Sequence, residues 1–177
     1  MGTQSDKQLL ASFYVGKISI KEFLEKCSAD LLKNADFVVT EIEHAIKTKS
    51  VERLDAAINL MWWAIEIFKN KTDYTDILNR LLLVSYHHEH QYVTKVLQSI
   101  KSPSSVPFIR QVLETRFSYL AYTCSESGVI AKWFSHALFD IGTADAIEVM
   151  RDFSQSDDVA VRAEMLYRLK KLPPSVF

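Results

Sequence analysis

Glycine and proline are scarce in this chain of 177 residues, with four of each. Turns between strands draw on both, so their shortage excludes a sheet-rich fold. Cysteine is scarcer still. Cys27 and Cys124 are too few and too far apart for a CxxC redox pair or a zinc ligand set. Each reads as a small, lone side chain, with Cys124 half-buried in a loop. The opening MGTQSDKQLL has no apolar core of the signal type, which sets the expectation of reduced thiols in a cytoplasm. No apolar run approaches the length of a membrane span. No basic run is longer than Lys170-Lys171, and the net charge is −1. Gripping phosphates needs a dense basic stripe, so nucleic acid is not an expected partner. A Gly-rich phosphate loop and a GxSxG nucleophile turn are both missing.

What is present is helical periodicity. Apolar residues recur at three and four nearly everywhere, which predicts about ten helices. The first, SDKQLLASFYVG, is expected to be capped at Ser5 or Asp6 and stopped at Gly16. The second opens at Ser19 with Glu22 three residues on, a capping box, and runs on through SIKEFLEKCSADLLKN. Asp36 to about Lys47 follows, then a long helix capped by Ser50. DYTDILNRLLLVSYH and EHQYVTKVLQSIKS come next. SSVPFIRQVLETRFSYLAY carries Pro107 in its first turn, where proline is tolerated. SGVIAKWFSHALFDIG, TADAIEVMRDFSQ and DDVAVRAEMLYRLKKL complete the set. The end PPSVF is expected to be a loose tail.

Short helices with short joints lie antiparallel to their neighbours, and internal repeats decide between a bundle and a solenoid. Val96 to Val112 lies over Ala137 to Phe153 at an offset of 41, without a gap. Leu97 meets Leu138, Ile100 meets Ile141, Val106 meets Ile147, and Ile109 meets Met150. Ser102 meets Thr143, each placed to cap the following helix. A looser match runs 32 residues back, from Val93 to Met61, and 31 forward, from Phe134 to Met165. There Ala137 meets Arg168, which suits a polar outer cap on a terminal repeat.

A period near forty with two helices per unit resembles the HEAT and armadillo repeats. The joint formed by Ala137, Leu138, Ile141, Gly142, Thr143, Ala146, Ile147 and Met150 is similar to the HEAT turn. From Tyr86 on, the chain resembles a bacterial group of small HEAT-repeat proteins, some of which stand beside polymorphic toxins as candidate immunity proteins. In that group a Trp-His-x-x-His-Glu-Asp stretch commonly opens the helix before a proline turn. Here Tyr86-His87-His88-Glu89-His90-Gln91-Tyr92 keeps the two histidines, but Tyr replaces Trp and Gln-Tyr replaces the acidic pair. The resemblance spans residues 73 to 172. It implies a right-handed α-solenoid of four to five helical hairpins in a single repeat domain. Residues 1–72 carry weaker repeat character and 173–177 form the tail.

YHHEH, Tyr86 to His90, is the one stretch that suggests chemistry. His87 and His90 share a helix face and are candidate metal ligands, but zinc needs three or four, and position 92 is Tyr where HExxH requires His. The bland alternative is a joint between helices, with His at one C-terminus, Glu89 at the next N-terminus, and His90 bonded to the joint.

In a HEAT solenoid one helix of each repeat lines the concave face. The repeat alignment puts Leu60, Tyr92, Trp133 and Glu164 in one column and Trp63, Lys95, His136 and Tyr167 in another. Aromatics anchor protein interfaces, though each ring could equally belong to the core. The candidate partner-binding residues are therefore Trp63, Tyr92, Lys95, Trp133, His136, Glu164 and Tyr167. Acidic stretches at Glu41–Glu43 and Asp157–Asp158 could meet a basic toxin, but read more simply as a solvated face and a helix cap. The expected function is non-catalytic binding of a protein partner, most concretely neutralisation of a toxin, with no cofactor. The alternatives are a regulatory adaptor and a HEAT-like DNA glycosylase, the latter needing a basic stripe and an acid on the inner face.

Overall fold

The computed structural model describes residues 4–27 and 32–173, and all but the first residue of the loose tail expected at 173–177 falls outside them. Among the described residues the fold is all-helical, with no strand. No described helix is long and apolar enough to cross a membrane. The chain divides into two compact units between Ile77 and Leu78.

The first unit holds α1 (Gln4–Tyr14), α2 (Ile20–Lys26), α3 (Ala35–Thr48) and α4 (Val51–Phe68). α1 already includes Ser5 and Asp6, so neither is the cap expected of it. The capping box of α2 forms as expected. The Ser19 hydroxyl accepts from Glu22 N–H, and the Glu22 carboxylate accepts from Ser19 N–H at 2.8 Å. α2 stops at Cys27, whose extended backbone interrupts the longer helix expected there. α3 and α4 form a tight antiparallel hairpin around Val38, Ile42, Leu54, Ile58 and Met61. Glu41 is not on a solvated face. Its carboxylate accepts from the Tyr14 hydroxyl at 2.7 Å, and Arg53 sits 4.9 Å from the Tyr14 ring centroid. Burial, then the bond to Glu41, pushes the Tyr14 pKa up.

The division falls inside α5 (Thr75–Leu81). The second unit continues with α6 (His90–Ile100), α7 (Val106–Glu114), α8 (Ser127–Ile141), α9 (Ala144–Phe153) and α10 (Val159–Leu169). Here α6 packs on α8 and α8 on α10, while α7 packs on α9. Every second helix is therefore a neighbour, and the unit has two layers. The residues matched across the offset of 41 play matching parts. Val96 and Ala137, Leu97 and Leu138, Val106 and Ile147, and Ile109 and Met150 are all buried. Lys101 and Gly142 both close their helices in the left-handed conformation, at φ 60° and 68°. Thr143 caps α9 through Ala146 N–H, and Ser102 accepts from Ser104 N–H in the matching turn. Two polar tethers join alternate helices. Gln98 Nε2 donates to Asp140 and Arg110 donates to Asp152, each at 2.5 Å and each across 42 residues.

Two further helices are also shorter than their periodicity suggests. The run expected to reach Tyr122 breaks after Glu114, where Arg116 and Phe117 take positive φ. Phe117 gains burial for that strain, its ring stacked on Phe134 with centroids 6.0 Å apart. α5 ends at Leu81, well before Tyr86, for a reason that lies in YHHEH itself.

Candidate functional site

YHHEH builds a joint. Helix α5 leaves carbonyls without intrahelical partners at its C-terminus. Leu81 O accepts from His87 Nε2–H at 2.8 Å, Leu82 O from the Tyr119 hydroxyl at 2.7 Å, and Val84 O from His90 Nε2–H at 3.0 Å. Carbonyl oxygens only accept, so these bonds fix the Nε2–H tautomer on both rings. The other ring nitrogens are also taken. His87 Nδ1 accepts from Glu89 N–H at 3.1 Å. The Tyr122 hydroxyl accepts from His90 N–H at 3.3 Å and donates to His90 Nδ1 at 2.9 Å. The two rings lie stacked, with centroids 4.0 Å apart. Both are buried. Burial pushes the His90 pKa down to about 3, helped by His87, and burial lowers that of His87.

This geometry corrects the metal candidates. His87 and His90 are brought together, but neither ring keeps a free lone pair. Among the described residues no three His, Cys, Asp or Glu side chains gather where they could hold an ion. Both cysteines are free, and Cys124 is exposed rather than half-buried.

The partner-binding candidates fare differently. Leu60, which shared their columns, is fully buried in the first unit. Trp63, also in the first unit, is 43% exposed on α4. The other six candidates lie on α6, α8 and α10, the three helices stacked in one layer of the second unit. Tyr92 is exposed on α6. An open groove of about 430 Å³ runs between α6 and α8, walled by Lys95, Val129, Lys132, Trp133 and His136. A second, of about 460 Å³, lies between α8 and α10 and is lined by Lys132, His136, Glu164, Tyr167, Arg168 and Lys171. Lys132 and His136 belong to both, so the grooves adjoin.

Sequence reasoning missed three cations here. Lys132 precedes Trp133 and lies one helical turn before His136. Lys171 follows Tyr167 at i+4, with its Nζ 4.3 Å from the ring centroid. Arg168 was expected on a polar outer face and is instead only 6% exposed. Its Nη2 donates to His136 Nε2. Its guanidinium lies 5.1 Å from the Tyr167 ring centroid. Burial, then the Arg168 charge, lowers the His136 pKa, keeping that ring a neutral acceptor. Each groove pairs one aromatic ring with cations, Trp133 with Lys95 and Lys132 in the first and Tyr167 with Lys132, Arg168 and Lys171 in the second.

Compared with known protein families, with curated proteins and with solved structures, the chain matches none.

Proposed function

We propose that this chain is a HEAT-like α-solenoid that binds a protein partner through the exposed side of α6, α8 and α10. The layered packing supports the solenoid reading. Helices two apart stack on one another, and the offset of 41 repeats in burial and in the left-handed closure of the helices. Resemblance to small HEAT-repeat proteins found beside toxins makes a toxin-neutralising immunity protein the most concrete form of the proposal. Binding is non-catalytic, with no cofactor, in the cytoplasm, where the free thiols of Cys27 and Cys124 are at home.

One observation carries the reading. Positions aligned by the repeat (Lys95, His136 and Tyr167, with Trp133 and Glu164) line two adjoining open grooves on one face. A partly exposed Trp with a polar rim around it is the composition of an interface anchor. The partner would be held by shape and charge over that face, and a toxin so covered would lose access to its target.

The test is co-expression with the product of the neighbouring open reading frame. The expected result is a complex that co-purifies and restores growth, lost with Trp133→Ala. Toxicity that persists with no complex formed would overturn the immunity reading.

A further inference from the structure

Two groups on this face are anomalous, Arg168 and Glu164, whose Oε2 is likewise buried without a partner. A guanidinium this deeply buried normally meets a carboxylate, because an unpaired buried charge is costly. Among the described residues no carboxylate comes within 4.0 Å of it, the range of an ion pair. Its protein acceptor is the neutral imidazole of His136. Its Nε has no protein partner at all, though it is shut away from solvent. The side chain lines the groove between α8 and α10.

The surroundings deepen the positive field. Lys132 and Lys171 are exposed on the same groove, and the Tyr167 ring lies against both Arg168 and Lys171. Three cations face one carboxylate, Glu164, so the groove carries a net charge near +2. The whole chain is at −1, so the positive field is local and not a general affinity for polyanions. The adjoining groove offers Val129 and Trp133 to an apolar side chain.

Building on the proposed docking face, we propose that Arg168, Lys132 and Lys171 form a carboxylate pocket that reads an Asp or Glu side chain of the partner protein, next to an apolar residue seated against Trp133. The Arg168 guanidinium supplies a fixed charge at the floor of the pocket, and the lysines supply flexible charge at its rim. The partner surface is therefore acidic at its centre, the opposite of the basic toxin that the acidic stretches of this chain suggested.

The probe is a short peptide, acetyl-Leu-Glu-Leu-Glu-Leu-amide, titrated into the full chain and followed by NMR at the arginine Nε–H and backbone amide signals. The glutamyl peptide is expected to shift the Arg168 Nε–H signal and the amides around Lys132 and Tyr167. The glutaminyl version should bind at least tenfold more weakly. Lys132→Glu and Lys171→Glu, both at exposed positions, should abolish the response without unfolding the protein. Equal binding of the two peptides, or no movement at Arg168, would overturn the proposal. Tighter binding of a short DNA duplex than of the glutamyl peptide would overturn it in favour of a phosphate site. If the neighbouring gene product binds unchanged to Lys132→Glu and Lys171→Glu, the carboxylate pocket fails while partner binding stands. If the peptide binds but no partner forms a complex, the pocket stands and the immunity reading fails.

Discussion

His87 and His90 stack ring on ring at 4.0 Å, and they donate their Nε2–H groups to the carbonyl of Leu81, the last residue of helix α5, and to that of Val84 just past it. Two imidazoles that close can share a buried site only while both are neutral. YHHEH is therefore a structural joint whose rings do the work that further helical N–H groups would have done.

The joint makes stability sensitive to mild acid. The folded pKa of His90 is pushed down to about 3, and that of His87 is lowered, whereas an unfolded histidine titrates near 6.5. Below pH 6.5 the unfolded chain binds the extra protons, so stability falls as pH drops towards 3 and is fully present above 6.5. The limiting slope is about 1.4 kcal/mol per pH unit for each histidine. Urea titrations at pH 7.5 and 5.5 should show a clear loss that His90→Gln reduces. An unchanged midpoint would contradict the network.

Tyr122→Phe removes one hydroxyl and leaves both His90 N–H and His90 Nδ1 without their partner. Leaving buried polar groups unpaired costs about 1–3 kcal/mol. Thermal unfolding should show a loss of that order.

Lys101 and Gly142 close equivalent helices with the same left-handed turn, and only one of them is glycine. Lys101→Gly should stabilise the protein and Gly142→Ala should destabilise it, each by about 1 kcal/mol. An added Cβ at Gly142 meets only ordinary contact, 3.5 Å from Phe139 O, so its cost reports backbone strain rather than collision. Chemical denaturation of the pair measures the sign directly.

The tether between Arg110 and Asp152 joins α7 to α9 at a partly exposed site. A double-mutant cycle should return a coupling of at most about 1 kcal/mol, reduced by high salt.

Caps and repeat spacing were the most legible parts of the fold. Ser19, Ser50, Thr143 and Asp158 cap the helices their sequence context indicates. These are local chemistry, set by a side chain and the next turn. Helix ends set by distant residues were not legible. Nothing near Leu81 announces that Tyr119, some forty residues on, will satisfy Leu82 O. Phe117 likewise leaves the helical register to reach Phe134, a tertiary gain that overrides local periodicity. At the candidate face, alignment of the repeats picked Lys95, Trp133, His136, Glu164 and Tyr167. It missed Arg168, because pairing that position with Ala137 hid a buried cation behind the expectation of a polar cap. Leu60 shows the opposite error, a column extended by arithmetic into a core position.

On the reading proposed above, the face of α6, α8 and α10 binds a protein. The most direct measurement is calorimetric titration of the co-expressed partner into the wild-type chain and into Trp133→Ala. An anchor residue should cost at least 2 kcal/mol of binding, a loss of about thirtyfold or more. That loss, with an unchanged melting temperature, is the predicted result. A variant that melts as the wild type does and binds with equal affinity would contradict the account.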